Sequence, residues 1–367
     1  LNLGVHAYGI DMAPDLGQPT VKTIEPNRLQ WVMQSMSHNT VTVVEKKQGD
    51  TNYTNIMQNK SVISTPMHFD DSGKIKVMDV DAPEVYDGTQ IYRRTVVSVD
   101  VSDDVSYGVD FFRVKGGDDH IYSFHAQSND VKIDGANLVS QATGTYAGPE
   151  VPWGPDPMTV LNEWVTPMKY PAGFTWMRNV SRAANPTSGA ISADFKITDY
   201  HKVLPDVKNL HMRLTMLNDK TRTDSQLTEF AVVDTQPPRY TNSPENIKQI
   251  AARRTGKNLD SLYTTVIEPY EGKRALKTIE GAAMTKVSGL EGKMDAARAV
   301  KVTHTNGRVD YIVYATNNSV MYRIDDKFNF RGFVGVYTMS GDNVTCSYIN
   351  DGDTIGEKSD FKASVSG

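Results

Sequence analysis

D-F-F-R-V-K-G-G-D-D-H-I-Y-S-F-H, residues 110–125, sets two short runs of aromatic and β-branched side chains on either side of a Gly-Gly pair. Runs of that composition read as strands, and the turn at 115–119 between them reads as a hairpin. The same grammar continues in both directions. Upstream, residues 41–44 are largely β-branched and residues 95–101 alternate as T-V-V-S-V-D-V. Downstream, strand runs fall at 191–197, 210–217, 229–233, 262–267, 299–304, 311–315, 319–324, 333–339 and 343–349. Turn clusters punctuate the chain at 71–73, 87–88, 305–307, 340–342 and 351–353. Helical periodicity is scarce. Its best candidate is 244–255, with Ser243 as N-cap, Pro244 at the first helical position and Gly256 as the stop.

The expected class is therefore all-β: a multi-sheet antiparallel β-sandwich, or super-sandwich, with a smaller C-terminal β unit. With 367 residues the chain is long enough for more than one packed unit. A softer Gly/Lys/Ser stretch at 281–295 suggests a β-sandwich domain over 1–280 and a C-terminal β-sheet subdomain over 281–367. No fixed-period repeat is present, so a propeller is not expected. Residues 144–171 carry six prolines beside Trp153 and Trp164, which reads as a long ordered loop over the sandwich surface.

Composition narrows the chemistry mainly by exclusion. No apolar run approaches the ~20 residues of a membrane span, so none is expected. Residues 1–10 alternate without a charged n-region or cleavage site, so they do not read as a signal peptide. Cys346 is the single cysteine, which excludes an internal disulfide framework and a cysteine-rich zinc module. A formal charge of −5 argues against nucleic acid as a partner. Charge is uneven, however. Residues 239–301 hold 12 Lys+Arg against 7 Asp+Glu, an excess of about +5 that leaves about −10 elsewhere. A solvated surface explains this most simply; a patch facing a polyanion is the alternative.

Of the eight histidines none belongs to an H-E-x-x-H motif, and no nucleophile elbow, P-loop or dinucleotide fingerprint occurs. In D-M-A-P-D-L-G (residues 11–17), an acidic residue before Gly ordinarily caps a turn. In M-S-H-N-T-V (residues 36–41), His38 and Asn39 stand at the mouth of a β-branched strand. If those segments meet, Asp15 and His38 supply two of the three or four ligands that zinc requires. Glu268 and Glu271, in V-I-E-P-Y-E-G (residues 266–272), invite a glycosidase reading, but Pro269 is expected to interrupt the strand and leave each carboxylate facing water.

Four segments in this order resemble the C-terminal β-sandwich part of the heparinase II/III-like polysaccharide lyases. They are L-N-L-G-V-H-A-Y-G-I-D-M-A-P-D-L-G (residues 1–17), S-H-N-T-V (37–41), residues 110–125 and V-I-E-P-Y-E-G (266–272). The likeness covers most of the chain and fades after about Gly281. In that family an (α/α) toroid precedes the sandwich and the active site lies in the cleft between them. The family pattern H-x-H-x-D-K would fall just before Leu1. Its first His is catalytic and its second binds a structural zinc, whose other ligands map onto Asp15 and His38. The resemblance thus implies no catalytic residue in this chain, and a remaining zinc ligand on a separate toroid chain that stays bound. His6 and His125 are the nearest further ligand candidates here, and Ca2+ or Mn2+ is a possible substitute metal. No Tyr lies between Asp15 and His38, where some members place an active-site tyrosine.

The implied activity is β-elimination on a uronic-acid polysaccharide, in a secreted or periplasmic enzyme. Its metal would hold the sandwich loops rather than act as the reaction's Lewis acid. The competing class is a non-catalytic carbohydrate-binding or structural β-sandwich. Arg28 and Trp31 lie between the two ligand turns, so Arg28 is expected to meet a sugar carboxylate, and Trp31 either to stack on a sugar or to join the core; Asn39 and His125 are further substrate-binding candidates. Because dense sulfate favours clustered Arg and Lys, the modest basic excess tilts the expectation to alginate, with heparin or heparan sulfate as runner-up.

Overall fold

The computed structural model describes residues 1–17, 27–44, 53, 62–156, 168–206, 208–238 and 243–357. Their alternating segments build four large sheets stacked face to face, beside a two-stranded pair, His6–Ala7 with Ile10–Asp11. The first is six-stranded, in the order Val139–Ser140, Arg178–Ala184, Glu229–Thr235, Ile247–Thr255, Asp119–His125 and Val41–Val43. The second is eight-stranded: Thr65–Asp70, Ile75–Asp81, Ile91–Asp100, Ser106–Lys115, Asp260–Glu271, Leu210–Leu217, Ala190–Lys196 and Val131–Asp134. A five-stranded sheet follows, running Leu276–Gly281, Ala297–His304, Arg308–Ala315, Val334–Ser340 and Asn343–Asn350. The last, four-stranded, is made of Met284–Ser288, Met321–Ile324, Phe328–Arg331 and Thr354–Gly356. Neighbouring strands are antiparallel throughout.

Three apolar layers separate the four sheets. Phe124, Phe230 and Ile250 of the six-stranded sheet meet Phe112, Leu214 and Tyr263 of the eight-stranded one. The opposite face of the eight-stranded sheet carries Val97, Val109 and Phe111 against Val300, Ile312 and Tyr314 of the five-stranded sheet. Tyr311, Val313 and Tyr337 then pack on Phe328, Phe330 and Ile324 of the four-stranded sheet. A sheet covered on both faces cannot alternate apolar with polar, and 109–114 is accordingly buried at every residue. The all-β stack of antiparallel sheets is thus the observed architecture.

Three local expectations are corrected. The runs flanking Gly116–Gly117 form no hairpin: Ser106–Lys115 pairs with Ile91–Asp100 and Asp260–Glu271, whereas Asp119–His125 pairs with Ile247–Thr255 and Val41–Val43. The turn is an arch that carries the chain from one sheet to the next. Gly116 makes it possible. Its φ is +103°, and a Cβ there would lie 2.3 Å from the Gly88 carbonyl oxygen. Second, 247–255 is a strand and not a helix, because both of its edges are taken by Glu229–Thr235 and Asp119–His125. Third, Pro269 does not end its strand. Pairing with Ser106–Lys115 stops at Ile267, so only the Leu210–Leu217 side remains paired at Pro269 and its missing N–H faces an unpaired edge.

Candidate functional site

Asp15 and His38 meet. Beyond the short pair His6–Ala7 and Ile10–Asp11 the chain enters the turn predicted at 11–17, where Asp15 Oδ1 accepts from Gly17 N at 2.9 Å and Gly17 takes φ +68°. Asp15 Oδ2 lies 2.8 Å from His38 Nδ1 and also accepts from Asn2 Nδ2 at 2.8 Å. His38 follows the short 3-10 turn Ser35–Ser37 and is extended, at φ −112° and ψ 161°, shortly before the strand Val41–Val43. The His38 hydrogen bond, outweighing the opposing effect of partial burial, pulls the Asp15 carboxyl down to about 2.

The two side chains are held by a buried polar frame. Asn39 Oδ1 accepts from the His125 backbone N–H at 2.8 Å, and its Nδ2 donates to the carbonyls of Leu3 at 3.1 Å and His125 at 3.3 Å. The Asn39 backbone N–H donates to Asn2 Oδ1 at 2.8 Å. His125 Nε2 reaches the Pro14 carbonyl at 2.8 Å, one residue before Asp15. A carbonyl only accepts, so Nε2 carries the proton; full burial holds this imidazole neutral by lowering it to about 4. Arg94 completes the frame. It grips Asp110 through two nitrogens (Nε–Oδ1 3.0 Å, Nη2–Oδ2 2.7 Å) and donates through Nη1 to the carbonyls of Leu1 at 2.8 Å and Asn39 at 2.7 Å. Three of the four segments singled out in the sequence therefore converge on one spot, with 110–125 contributing Asp110 and His125.

The remaining candidates sit elsewhere or do other work. Trp31, in the single helical turn Arg28–Val32, is fully buried in the first apolar layer, so its ring belongs to the core. Arg28, in the same turn, is partly exposed. Asn39 and His125 are buried with their polar atoms engaged on backbone. His6 is near Asp11, at 3.6 Å, rather than Asp15. Glu268 is buried and held by Arg274 Nε at 2.8 Å and by the backbone N–H groups of Ala275 and Leu276, so it is a structural carboxylate. Sequence reasoning missed Arg94 and Asp110. The signal was an arginine in phase with the inward-facing Tyr92 of an otherwise alternating strand.

Among the described residues no group of three or more His, Cys, Asp or Glu side chains is placed to hold a metal. The Asp15–His38 donor set, one carboxylate oxygen and one imidazole nitrogen in contact, suits zinc as two ligands and leaves the set incomplete within those residues. Part of the basic excess at 239–301 is paired, Lys248 with Asp234, Arg253 with Asp119, Arg274 with Glu268, Arg298 with Asp224 and Lys301 with Glu280, whereas Lys257, Lys273, Lys277 and Lys293 are exposed and in no ion pair among the described residues.

The fold is structurally similar to part of solved heparinase III structures and of a heparan sulfate lyase. A crystal structure of heparinase III matches 85% of this chain and 35% of its own, at 12% identity and a TM-score of 0.43. Another heparinase III structure matches 83% of this chain and 34% of its own, at 13% identity and a TM-score of 0.46. Heparan sulfate lyase HepC from Pedobacter heparinus matches 88% and 36%, at 11% identity and a TM-score of 0.37. The chain spans about a third of the length of these proteins. No family model matches the sequence, and no curated protein matches it.

Proposed function

We propose that this chain is the β-sandwich portion of a polysaccharide lyase that cleaves a uronic-acid glycan by β-elimination, working with an (α/α) toroid segment of the same enzyme. The observation that supports it most is the 2.8 Å contact of Asp15 with His38, the two residues on which the family resemblance lays its metal ligands. In such a reaction the C5 proton beside the sugar carboxylate is removed and the O4 leaving group is protonated, so charge neutralisation and placed acid–base groups supply the rate. The toroid segment supplies those groups in this reading, and the sandwich supplies one wall of the cleft.

Asp15 and His38 would hold a structural zinc, or Ca2+ or Mn2+ in its place, with a further ligand from the partner segment. The metal's contribution is to tie the turn at 11–17 to the strand Val41–Val43 and thereby fix the cleft wall. Alginate is the favoured polymer, with heparin or heparan sulfate second. The basic excess at 239–301 is modest, about +5, where dense sulfate would favour a larger cluster of Arg and Lys. Secretion or export to the periplasm goes with such a substrate.

The test is ultraviolet absorbance of unsaturated chain ends. The 367-residue chain, alone and together with its toroid segment, is incubated with alginate, heparan sulfate and hyaluronan. Turnover only with the toroid present, fastest on alginate, is the expected result. Activity of the chain alone would overturn the placement of the base; binding without any unsaturated ends would favour a carbohydrate-binding β-sandwich instead.

A further inference from the structure

A second feature lies at one end of the six-stranded sheet. Arg178 opens the strand Arg178–Ala184 and pairs with Asp234, next to Thr235, which ends the strand Glu229–Thr235. Together with Trp153, Gln236, Pro237 and Glu245 these residues line an open cavity of about 490 Å³, within the ~300–1,000 Å³ range of small-molecule sites. Trp153 is 43% exposed, unlike the buried Trp31 and Trp176. Its ring is set edge-to-face on Trp176 at 5.3 Å and carries the Arg178 guanidinium 5.1 Å from its centroid.

We propose that this groove is a binding subsite for one carboxylated sugar unit of an acidic glycan. A pyranose has an apolar C–H face and a rim of hydroxyls. An exposed indole and a proline meet the face, while Gln236 meets the rim. The carboxylate preference comes from Arg178. Its Nη2 already donates to a carboxylate, Glu245 Oε1, at 2.8 Å, and Glu245 is 83% exposed, so this pair is weak and readily exchanged. A uronate carboxylate takes the place of Glu245 on the same guanidinium, which is held in position by Trp153. Gln236 is also hydrogen-bonded by Asn27, which precedes the Arg28–Val32 turn and so links the groove to the segment leading to His38. The sugar class rests on the lyase reading above; the groove itself does not.

The experiment is calorimetric titration of the 367-residue chain with a short alginate oligosaccharide, and with a neutral cello-oligosaccharide of equal length. The uronate ligand binds and the neutral one binds more weakly. Trp153→Ala and Arg178→Met each weaken uronate binding by about tenfold or more. Glu245→Gln, an exposed substitution that leaves the fold untouched, tightens it several-fold by removing the competing carboxylate. Unfolding midpoints of all three variants confirm that they are folded. Unchanged affinity in Trp153→Ala and Arg178→Met overturns the site, and equal binding of the neutral ligand overturns the carboxylate preference. Should the oligosaccharide not bind while the toroid-bearing enzyme still forms unsaturated ends, the groove falls and the lyase reading stands. Trp153-dependent binding with no unsaturated ends from any polymer leaves the groove standing and removes the lyase.

Discussion

Replacing Arg94 by Met tests whether the frame behind Asp15 and His38 is as tightly coupled as its geometry implies. The Arg94 and Asp110 side chains are only 5% and 1% exposed, so neither can fall back on water when its partner is removed. In Arg94→Met, Asp110 retains, among the described residues, only the Tyr122 hydroxyl at 3.0 Å. An orphaned buried charge of this kind costs about 3–5 kcal/mol. The carbonyls of Leu1 and Asn39 also lose their Arg94 donor, adding about 1 kcal/mol each. A loss of roughly 5–7 kcal/mol follows. Asp110→Asn orphans the guanidinium instead and costs about 3 kcal/mol or more. The double variant strands neither charge, so it recovers much of the loss, with a coupling of about 3 kcal/mol. Urea unfolding followed by tryptophan fluorescence measures this, because Trp31 and Trp176 lie in the same apolar layer as Tyr122 and residues 276–367 contain no Trp. Additive losses, or an Arg94→Met cost below about 1 kcal/mol, would refute the coupling.

Other consequences are equally direct. His120 is buried, with Nδ1 2.8 Å from Ser261 Oγ and Nε2 2.7 Å from the Gly116 carbonyl, and burial lowers it to about 4 from an ordinary 6.5. Between those values the unfolded chain binds the proton and the folded one does not, so His120 contributes about 3 kcal/mol that is intact above pH ~6.5 and lost on reaching pH 4; buried His125, also lowered to about 4, loses a like contribution over the same range. His120→Gln should therefore cut the slope of the stability–pH curve there by about half, and an unchanged slope would show that His120 is not one of its sources. Gly116→Ala should cost more than about 2 kcal/mol in denaturant titration, since its Cβ would collide with the Gly88 carbonyl at a positive φ. Trp31→Ala removes a fully buried ring and should lower stability by about 3–5 kcal/mol. Asn39→Ala should cost about 2–3 kcal/mol by leaving the His125 N–H and two carbonyls unpaired, and should weaken zinc uptake, read by metal analysis after dialysis, if Asp15 and His38 are its ligands.

The chain order alone determines the all-β class, because alternation and β-branched runs are local properties, and a strand such as Leu210–Leu217 is legible in its own eight residues. The Asx turn at Asp15 and the extended entry at His38 are local in the same way. Which sheet a strand joins is not local. The Gly-Gly turn at 116–117 suits a hairpin or an arch, and only the burial of 109–114 on both faces selects the arch. Residues 247–255 carry good helix formers such as Ala251, Ala252 and Arg253, yet two neighbouring strands offer them a complete ladder and the strand wins. The site divides along the same line. Asp15 and His38 could be named from short motifs, whereas Asn39 and His125 look like ligand-facing polar residues until packing turns them inward to satisfy buried backbone. Trp153 was visible only as part of a proline-rich loop; its exposure beside Arg178 arises where two distant strand ends come together, a juxtaposition no sequence window contains.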